Sequence, residues 1–352
     1  MAAVDIDGHP IGGAPPHALI IAELSANHGG SLDTALAMVR AAAEAGADAV
    51  KLQTYRPDTI TLDLDTEPFR IRSGTVWDGR TLFSLYAEAF TPWEWHATIR
   101  DEALKFGMTW FSSPFDATAI DLLESLGAPA YKIASFEIVD IGLIRRAAVT
   151  GKPMIISTGM ATLAEIEEAV AAARDAGAMQ IVLLKCTSAY PAPPDEVDLR
   201  TIPNMADAFG VPVGLSDHTL GIAVPVAAVA LGAVIIEKHF TLRRADGGPD
   251  SGFSLEPQEF FEMVSQVRIA EQALGEVNYT PSAREAPSRS LRRSLFVVEE
   301  TRAGEPFTET NLRSIRPGNG LHTRYLQEVL GRPATRDVER GTPLSWDLVG
   351  PA

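Results

Sequence analysis

The feature that most constrains the fold is an alternation of short apolar runs with longer stretches whose apolar residues recur at helical spacing. The runs lie at residues 18–23, 48–53, 108–113, 130–135, 153–158, 180–185, 211–216 and 233–239. Helices are predicted between them, most clearly over 32–44, 117–126, 163–176 and 222–231, and after the last run over 257–274. Strand and helix alternating eight times predict a (β/α)₈ TIM barrel in the α/β class.

A doubly wound open sheet shows the same alternation and is the alternative fold. The first run is not followed by GxGxxG, and eight units exceed the usual five or six, so the barrel is favoured. A glycine separates most predicted helices from the next strand, where a left-handed helix cap is expected. These glycines are Gly46, Gly107, Gly127, Gly151, Gly177, Gly210 and Gly232.

Two segments interrupt the alternation. Residues 54–95 form a long insertion after the second strand, which in a barrel lies over the catalytic mouth. Residues 276–292 lose periodicity and collect Pro, Ser and charge, which predicts a linker. The barrel is therefore expected over 15–275, and a small β-rich domain over 293–352. The residues before the first strand are predicted to be a loose polar leader.

Composition excludes several classes of function. The 46 acidic residues outnumber the 30 basic ones and give a net charge of −16, which argues against nucleic-acid and anionic-membrane partners. The single cysteine, Cys186, precludes an intrachain disulfide and fits a reducing compartment. Neither a signal peptide nor an apolar run long enough for a membrane span is evident. A cytoplasmic enzyme is expected.

Polar side chains repeatedly follow the predicted strands, at the end where a TIM barrel carries its active site. They are Glu23, Lys51, Gln53, Ser112, Ser113, Lys132, Ser135, Ser157, Thr158, Lys185, Ser188, Tyr190, Ser216, His218, Glu237 and His239. Three lysines among serine and threonine hydroxyls suit a phosphate or carboxylate anion. Each lysine could instead be ion-paired or extend to solvent, and one could form a Schiff base.

His218 and His239 end adjacent predicted strands, close enough to share a divalent metal. Imidazole with oxygen ligands suits Mn²⁺, Zn²⁺ or Fe²⁺, although either histidine could be a general base instead. Glu23 and Glu237 are the nearest carboxylates and are candidate general acids or bases. A salt bridge to one of the lysines is the alternative for each of them.

Eight motifs occur in one order along the chain. They are IAELSANHGG, DAVKLQTY, FSSPFD, YKIAS, ISTGM, KCTSAYP, GLSDHT and IIEKHF. In this order and spacing they resemble the sialic acid synthase family, and SIRPGNGL resembles its C-terminal antifreeze-like (SAF) domain. The resemblance implies a TIM barrel plus a SAF domain, condensation of phosphoenolpyruvate with an amino-sugar aldehyde, and a domain-swapped homodimer.

The resemblance also implies roles for individual residues. His218 and His239 would bind a divalent metal, with Mn²⁺ expected and Mg²⁺ or Co²⁺ as alternatives. Phosphoenolpyruvate would be held by Lys51, Lys132, Ser135, Ser157 and Ser216, assisted by Ser112 or Ser113, and Lys185 is a further candidate. The sugar site would contain Glu23, Gln53, Tyr190, Glu237 and Asp250, and Ser188 is a further candidate for substrate binding. Arg316 would enter from the SAF domain of the partner subunit.

Within that family the likeness is strongest to the pseudaminic acid synthases, carried by KLQTYRPDTITLD, GTVWDGRTLFSLYAEAFTPWEW, FSSPFD and KIASFEIVD. Their substrate is 2,4-diacetamido-2,4,6-trideoxy-β-L-altropyranose. Ser188 stands where N-acetylneuraminate synthases typically carry Asn. The insertion offers plausible aromatic cover for a less hydroxylated sugar in Phe69, Trp77, Phe83, Tyr86, Phe90, Trp93 and Trp95. At most two or three of them are expected to touch the sugar, and the others to pack the loop and a second helix. A legionaminate or N-acetylneuraminate synthase is the alternative, and a non-catalytic sugar-binding protein is a remote one.

Overall fold

The computed structural model describes residues 4–13, 17–72, 74 and 77–351. The chain divides into two compact units, Met1–Gly275 and Glu276–Ala352. Among the residues described, no helix is long and apolar enough to cross a bilayer.

The first unit contains a closed barrel of eight parallel strands, as the sequence predicts. The strands are β3 (Leu19–Glu23), β4 (Ala49–Thr54), β5 (Thr109–Pro114), β6 (Tyr131–Ile133), β7 (Met154–Ser157), β8 (Ile181–Cys186), β9 (Val213–Asp217) and β10 (Ile235–His239). The barrel closes because β10 pairs with β3. Almost every strand residue is buried, because a parallel sheet is covered on both faces.

Helices cover the outside of the barrel. They are α1 (Leu32–Glu44), α4 (His96–Lys105), α5 (Ala117–Ser125), α6 (Ile141–Ala148), α7 (Leu163–Asp175), α8 (Thr201–Phe209), α9 (Ala223–Ala230) and α10 (Pro257–Leu274). Their starts follow local rules: the side chains of Ser31, Asp116 and Thr162 accept backbone N–H groups at the starts of α1, α5 and α7. All seven glycines singled out in the sequence have positive φ.

The sequence predicted a loose polar leader before the first barrel strand, and this prediction is wrong for residues 4–13, which the structure describes. Strands β1 (Val4–Ile6) and β2 (His9–Ile11) form an antiparallel hairpin. Its apolar side chains pack with the interior residues of the barrel, so the hairpin closes one end of the barrel. Residues 14–16, at the predicted start of the catalytic domain, lie outside the described residues.

The insertion after β4 contains two short helices, α2 (Pro57–Ile60) and α3 (Leu82–Ala89). Some of its aromatic side chains pack within the fold. Trp93 donates its indole N–H to Tyr55 O at 3.1 Å, and Trp95 contacts the ring of His28.

The second unit has its own small core. Strands β11 (Ser294–Val297) and β12 (Leu312–Ile315) pair antiparallel, and one short helix, α11 (Leu326–Val329), follows. The core includes Leu295, Val297, Phe307, Leu312 and Leu344. Residues 276–293 before it are exposed throughout and contain a single 3₁₀ turn, Ala286–Leu291.

Candidate active site

The barrel interior determines which side chains reach its mouth. Leu19, Ile21, Ala49, Phe111 and Ile155 belong to one interior cluster. Side chains alternate along a strand, so every second residue from these positions also faces inward. From these positions, and from Ala130, Leu184 and Ile235 of the same cluster, the polar residues reached are Glu23, Lys51, Gln53, Ser113, Lys132, Ser157, Cys186, Glu237 and His239. On β9, Val213 and Leu215 pack with the surrounding helices, so Ser216 and His218 face inward.

Two lysines and two glutamates form a buried charge network at the centre of this mouth. Lys51 forms an ion pair with Glu23, and its Nζ lies 3.6 Å from Glu237 Oε1. Lys132 Nζ lies 3.3 Å from the same Glu237 oxygen. Each member of the network is at most 5% exposed. Lys51, Lys132, Glu23 and Glu237 therefore gather at the mouth, where a ligand would bind, and they also form ion pairs with one another there.

Burial and charge act in opposite directions within this network. Burial raises the pKa of Glu23, because desolvation outweighs the attraction of Lys51. Burial would also raise the pKa of Glu237, but Lys132 and Lys51 together hold it below its usual value. Burial lowers the pKa of Lys132 despite the carboxylate beside it. Glu23 is therefore the carboxylate better suited to hold a proton, and Glu237 the one better suited to stay ionised.

A second polar chain extends from Glu23 along one side of the mouth. Gln53 donates to Glu23 Oε1 at 3.0 Å and to Ser25 Oγ at 3.3 Å. Ser25 in turn donates to Asp250, whose pKa is raised by burial. Asp250 is thus joined to Gln53 and Glu23 through Ser25, a residue that the sequence analysis missed. Its position two residues after Glu23, in a polar loop, was the available signal.

Hydroxyl groups surround the lysines. Ser113 Oγ accepts from Lys51 at 3.3 Å, and Ser216 Oγ donates to Glu237 at 3.2 Å. Ser135 Oγ accepts from the backbone N–H of Gly159 at 3.2 Å. Ser157 Oγ is buried and has no hydrogen-bond partner among the residues described.

Two predicted residues lie apart from this group. The side chain of Ser112 points away from the barrel interior, opposite to that of Ser113, and its hydroxyl lies 2.6 Å from Thr54 Oγ1. Lys185 precedes the inward Cys186 and donates to Cys186 O at 3.3 Å. Neither side chain forms a hydrogen bond or ion pair with the lysine–glutamate network in the part of the chain that is described.

The rings of His218 and His239 are neighbours at the mouth, with centroids 5.3 Å apart. His218 Nδ1 lies 2.9 Å from Thr187 O, so a proton on Nδ1 can be donated to that carbonyl and Nε2 keeps its lone pair. Burial lowers the pKa of His239 well below its usual value. Its Nδ1 is buried and without a hydrogen-bond partner in the described structure.

These two imidazoles fit a divalent metal that takes its remaining ligands from water or substrate. The described residues contain no group of three or more His, Cys, Asp and Glu side chains that could hold a metal ion. The protein would therefore supply only two imidazoles. Burial would raise the pKa of the Cys186 thiol, but His218, Ser135 and Lys132 together lower it to about 7.

Aromatic rings border the histidines. Tyr190 lies 4.4 Å from the ring of His218, and Phe253 lies 4.9 Å from the ring of His239. Trp77 of the insertion packs 5.4 Å from Tyr190 and donates its indole N–H to Pro249 O at 3.0 Å. The insertion therefore reaches the mouth, as predicted. Phe253, which follows the last strand in a loop, was missed.

Glu137 is a further residue that the sequence did not single out. Its pKa is raised to about 7, chiefly by burial, although Lys132 lowers it in part. Its Oε2 has no hydrogen-bond partner among the described side chains and backbone groups. The carboxyl also raises the pKa of Tyr86 in the insertion, after the larger contribution of burial.

Ser188 lies near Cys186, with 3.8 Å between its Oγ and the sulfur.

Arg316 belongs to the second unit and is exposed directly after β12. The turn that follows it is held by hydrogen bonds: Ser294 donates to Pro317 O at 2.7 Å, and Gly318 N donates to Ser290 O at 2.8 Å. The predicted turn therefore presents the guanidinium to solvent in this chain.

The sequence matches two family models. Residues 38–279 match the NeuB family, and residues 292–350 match the SAF domain. The chain is 46% identical to the pseudaminic acid synthase of Helicobacter pylori, over 93% of this chain and 96% of that protein. It is 38% identical to the N,N'-diacetyllegionaminic acid synthase of Campylobacter jejuni, over 91% of this chain and 97% of that protein.

Solved structures give the same likeness. The N-acetylneuraminic acid synthetase of Leptospira borgpetersenii, solved in complex with citrate, superposes with a TM-score of 0.72. The two sequences are 32% identical, and the match covers 82% of this chain and 95% of that one.

Proposed function

Because the chain belongs to the NeuB family, as its motifs indicated, and carries a SAF domain, we propose that it is a pseudaminic acid synthase. The higher identity to the pseudaminic acid synthase, 46% against 38% for the legionaminic acid synthase, favours that substrate. The reaction joins phosphoenolpyruvate to 2,4-diacetamido-2,4,6-trideoxy-β-L-altropyranose and yields a nonulosonic acid and phosphate. A legionaminate or N-acetylneuraminate synthase is the second candidate, supported by the 38% and 32% identities to such enzymes.

One observation carries the catalytic proposal. Ser157 Oγ, Glu237 Oε2 and His239 Nδ1 are buried polar atoms without a hydrogen-bond partner among the described residues, and all three face one mouth. Buried polar atoms are rarely left unpaired in a native protein, so such a group indicates a place for a polar ligand. Next to them, Lys51 and Lys132 supply positive charge in an otherwise acidic protein.

Phosphoenolpyruvate would be held by the buried lysines and the surrounding hydroxyls. Lys51 and Lys132 balance its negative charge as point charges, while Ser135 and Ser157 donate to its oxygens. Ser216 would donate as well by turning its hydroxyl away from Glu237. Ser113 assists by holding the Lys51 ammonium. Burial of both lysines makes this attraction stronger than it would be in water.

The sugar would lie between this anion site and the aromatic border. His218 and His239 would hold a divalent metal, with Mn²⁺ proposed, which would supply Lewis acidity for activation of the open-chain aldehyde. Gln53 and Asp250, which are already joined through Ser25, are placed to bind sugar hydroxyl or acetamido groups. Tyr190 covers the imidazole of His218 and limits the access of water.

The chemical step follows from these positions. The enol carbon of phosphoenolpyruvate attacks the aldehyde carbon, and the new carbon–carbon bond leaves an oxocarbenium at the enol-phosphate carbon. Water adds there, losing a proton, and the tetrahedral intermediate releases phosphate by cleavage of its C–O bond. Glu23, whose pKa is raised by burial, is suited to protonate the aldehyde-derived oxygen and then to take the proton that water loses. Glu237, which the lysines keep ionised, is suited to stabilise the positive charge of the oxocarbenium.

The subunit arrangement is also part of the proposal. We propose a homodimer in which the SAF domain of one chain brings Arg316 to the barrel mouth of the other, as the family resemblance implies. A guanidinium offered to an acetamido oxygen makes a directional, charge-assisted hydrogen bond. The cytoplasm is the proposed compartment, consistent with a single cysteine.

Phosphate release tests the proposal directly. The purified protein is incubated with phosphoenolpyruvate, Mn²⁺ and, in turn, the trideoxy-altrose, the precursor sugar of N,N'-diacetyllegionaminic acid and N-acetylmannosamine. The trideoxy-altrose should give the highest kcat/KM. Preference for another sugar would favour the second candidate. If no sugar leads to phosphate release, the remaining hypothesis is a non-catalytic sugar-binding protein. With bridging-oxygen-labelled phosphoenolpyruvate, the label should appear in phosphate, and retention in the sugar acid would exclude C–O cleavage.

A further inference from the structure

A buried ion pair lies beside the two histidines but faces the other way. Asp217 and Lys238 are partners in the register of β9 and β10, and Lys238 Nζ lies 2.5 Å from Asp217 Oδ2. Asp217 is 2% exposed and Lys238 is fully buried. Because side chains alternate along a strand, these two point outward from the barrel while His218 and His239, the next residues, point inward.

The same pair also fixes the chain on both sides of His218. Asp217 Oδ1 accepts from Thr219 N at 3.0 Å, and Asp217 Oδ2 accepts from the Thr219 hydroxyl at 3.1 Å. Lys238 donates to Thr219 O. One ammonium group on β10 thus holds the residue before His218 and the residue after it.

Fold stability alone gives a weak reason for such an arrangement. Two charges removed from water lose hydration energy that their attraction only partly restores, and an apolar pair of similar volume often serves stability equally well. Unlike apolar packing, the hydrogen-bonded ion pair is directional. It therefore fixes the distance and the register between two neighbouring strand ends. A metal shared by one side chain from each strand needs that register, because its ligand distances tolerate only small errors.

The geometry points to Asp217 and Lys238 as positioning residues that hold the His218 and His239 imidazoles at the separation a shared divalent metal requires. This role rests on the proposed metal site. The outward pair neither touches substrate nor takes part in proton transfer. It acts through the backbone of the two strands that carry the ligands.

The test is the affinity of the protein for Mn²⁺, measured by titration calorimetry on the full chain. The double variant Asp217→Asn/Lys238→Met removes both charges and keeps an acceptor for Thr219 N, so it is expected to fold where Lys238→Met alone leaves an unpaired buried carboxylate. We expect its Kd for Mn²⁺ to rise about tenfold, the lower end of the range for groups hydrogen-bonded directly to metal ligands, because this pair acts through the neighbouring backbone.

The matched control is Arg268→Met, which breaks the ion pair between Arg268 and Asp48 (2.7 Å), ahead of β4. Its Kd for Mn²⁺ should stay at the wild-type value even if its melting temperature falls. An unchanged Kd in the double variant, or an equal loss in both variants, would overturn the positioning role. If the wild-type protein binds no Mn²⁺, or binds it as well after His218→Ala, the proposed metal site itself fails.

Discussion

Lys132 and Glu237 meet across the full width of the barrel. They stand on β6 and β10, which are separated by three strands in either direction around the closed sheet, yet Lys132 Nζ lies 3.3 Å from Glu237 Oε1. Lys51 approaches the same oxygen. Glu237 on β10 thus neutralises part of the positive charge of Lys51 on β4 and Lys132 on β6. A bound anion would share these two lysines with Glu237.

The first prediction concerns Lys132. Replacing it with Met should raise the KM for phosphoenolpyruvate by about tenfold or more, because a buried charge-assisted contact to the anion is lost. The KM for the sugar should change much less. Steady-state phosphate release with one substrate varied and the other saturating separates the two effects.

Lys152→Met is the matched control, because Lys152 is only partly buried and pairs with Glu124 on the outside of the barrel. It should keep both KM values within about twofold, as expected for a surface ion pair. Equal effects of Lys132→Met on the two KM values would contradict an anion site at Lys132.

The second prediction concerns the histidines. His218→Ala and His239→Ala should each abolish turnover while the circular dichroism spectrum stays unchanged, because a site with two protein ligands cannot lose one and hold its metal. Excess EDTA should inactivate the wild-type protein, and Mn²⁺ should restore it. His9→Ala, in the hairpin, is the control and should stay active. Full activity of metal-stripped protein would return both histidines to acid–base roles.

The sequence predicted the barrel because buried parallel strands leave a strong trace: apolar runs, helical periodicity and a glycine between them. It missed the N-terminal hairpin, whose strands have three residues each. The available signal was Asp7–Gly8, a dipeptide typical of tight hairpin turns, and both residues have positive φ.

The sequence also placed polar residues at the mouth without deciding which way each one points. Because every second side chain along a strand faces the same way, the interior apolar residues show that Ser113 and Cys186 face inward, and that Ser112 and Lys185 do not. That rule needs the strand register, which only the closed barrel supplies. Phe253 and Glu137 lie in connections rather than in strands, so no periodicity in the chain marks them.

The third prediction concerns sugar preference and Trp77. Its ring packs on Tyr190, which lies against the ring of His218, so it is placed to contact an apolar part of the sugar. Trp77→Ala should lower the ratio of kcat/KM for the trideoxy-altrose to that for N-acetylmannosamine by about tenfold, since one methyl group in an apolar pocket contributes roughly 1–3 kcal/mol.

Trp93→Ala in the same insertion is the control. Trp93 donates to Tyr55 O and contacts Arg56, so its loss should affect stability and leave the ratio of the two sugars unchanged. A ratio that falls equally in both variants would mean that the insertion acts as a whole and that Trp77 has no specific contact.

The fourth prediction concerns pH and Glu137. A carboxyl whose pKa is raised to about 7 in the folded protein favours folding while protonated, and that contribution is lost as pH rises from the unfolded value of 4.5 through 7. Glu137→Gln should therefore gain stability over wild type with rising pH, by up to about 3 kcal/mol at pH 8. Urea unfolding at pH 5 and pH 8, at one protein concentration, measures this gain.

Glu168→Gln, on the exposed face of α7, provides the comparison and should show no such trend. A Glu137→Gln difference that stays flat between pH 5 and pH 8 would mean that Glu137 is paired or hydrated in the folded protein.

The last prediction concerns the domain swap. Arg316→Ala should weaken sugar binding more than phosphoenolpyruvate binding, because the guanidinium is proposed to meet an acetamido group. Mixing Arg316→Ala chains with His218→Ala chains, at a sugar concentration too low for either variant alone to turn over, then distinguishes the two arrangements. If the SAF domain crosses over, one mouth of the mixed dimer carries both changes and the other carries neither, so activity should return to that one mouth. If each SAF domain covers its own barrel, every mouth keeps one change. Mixed dimers that are shown to form by mass spectrometry and stay inactive would therefore exclude the swap.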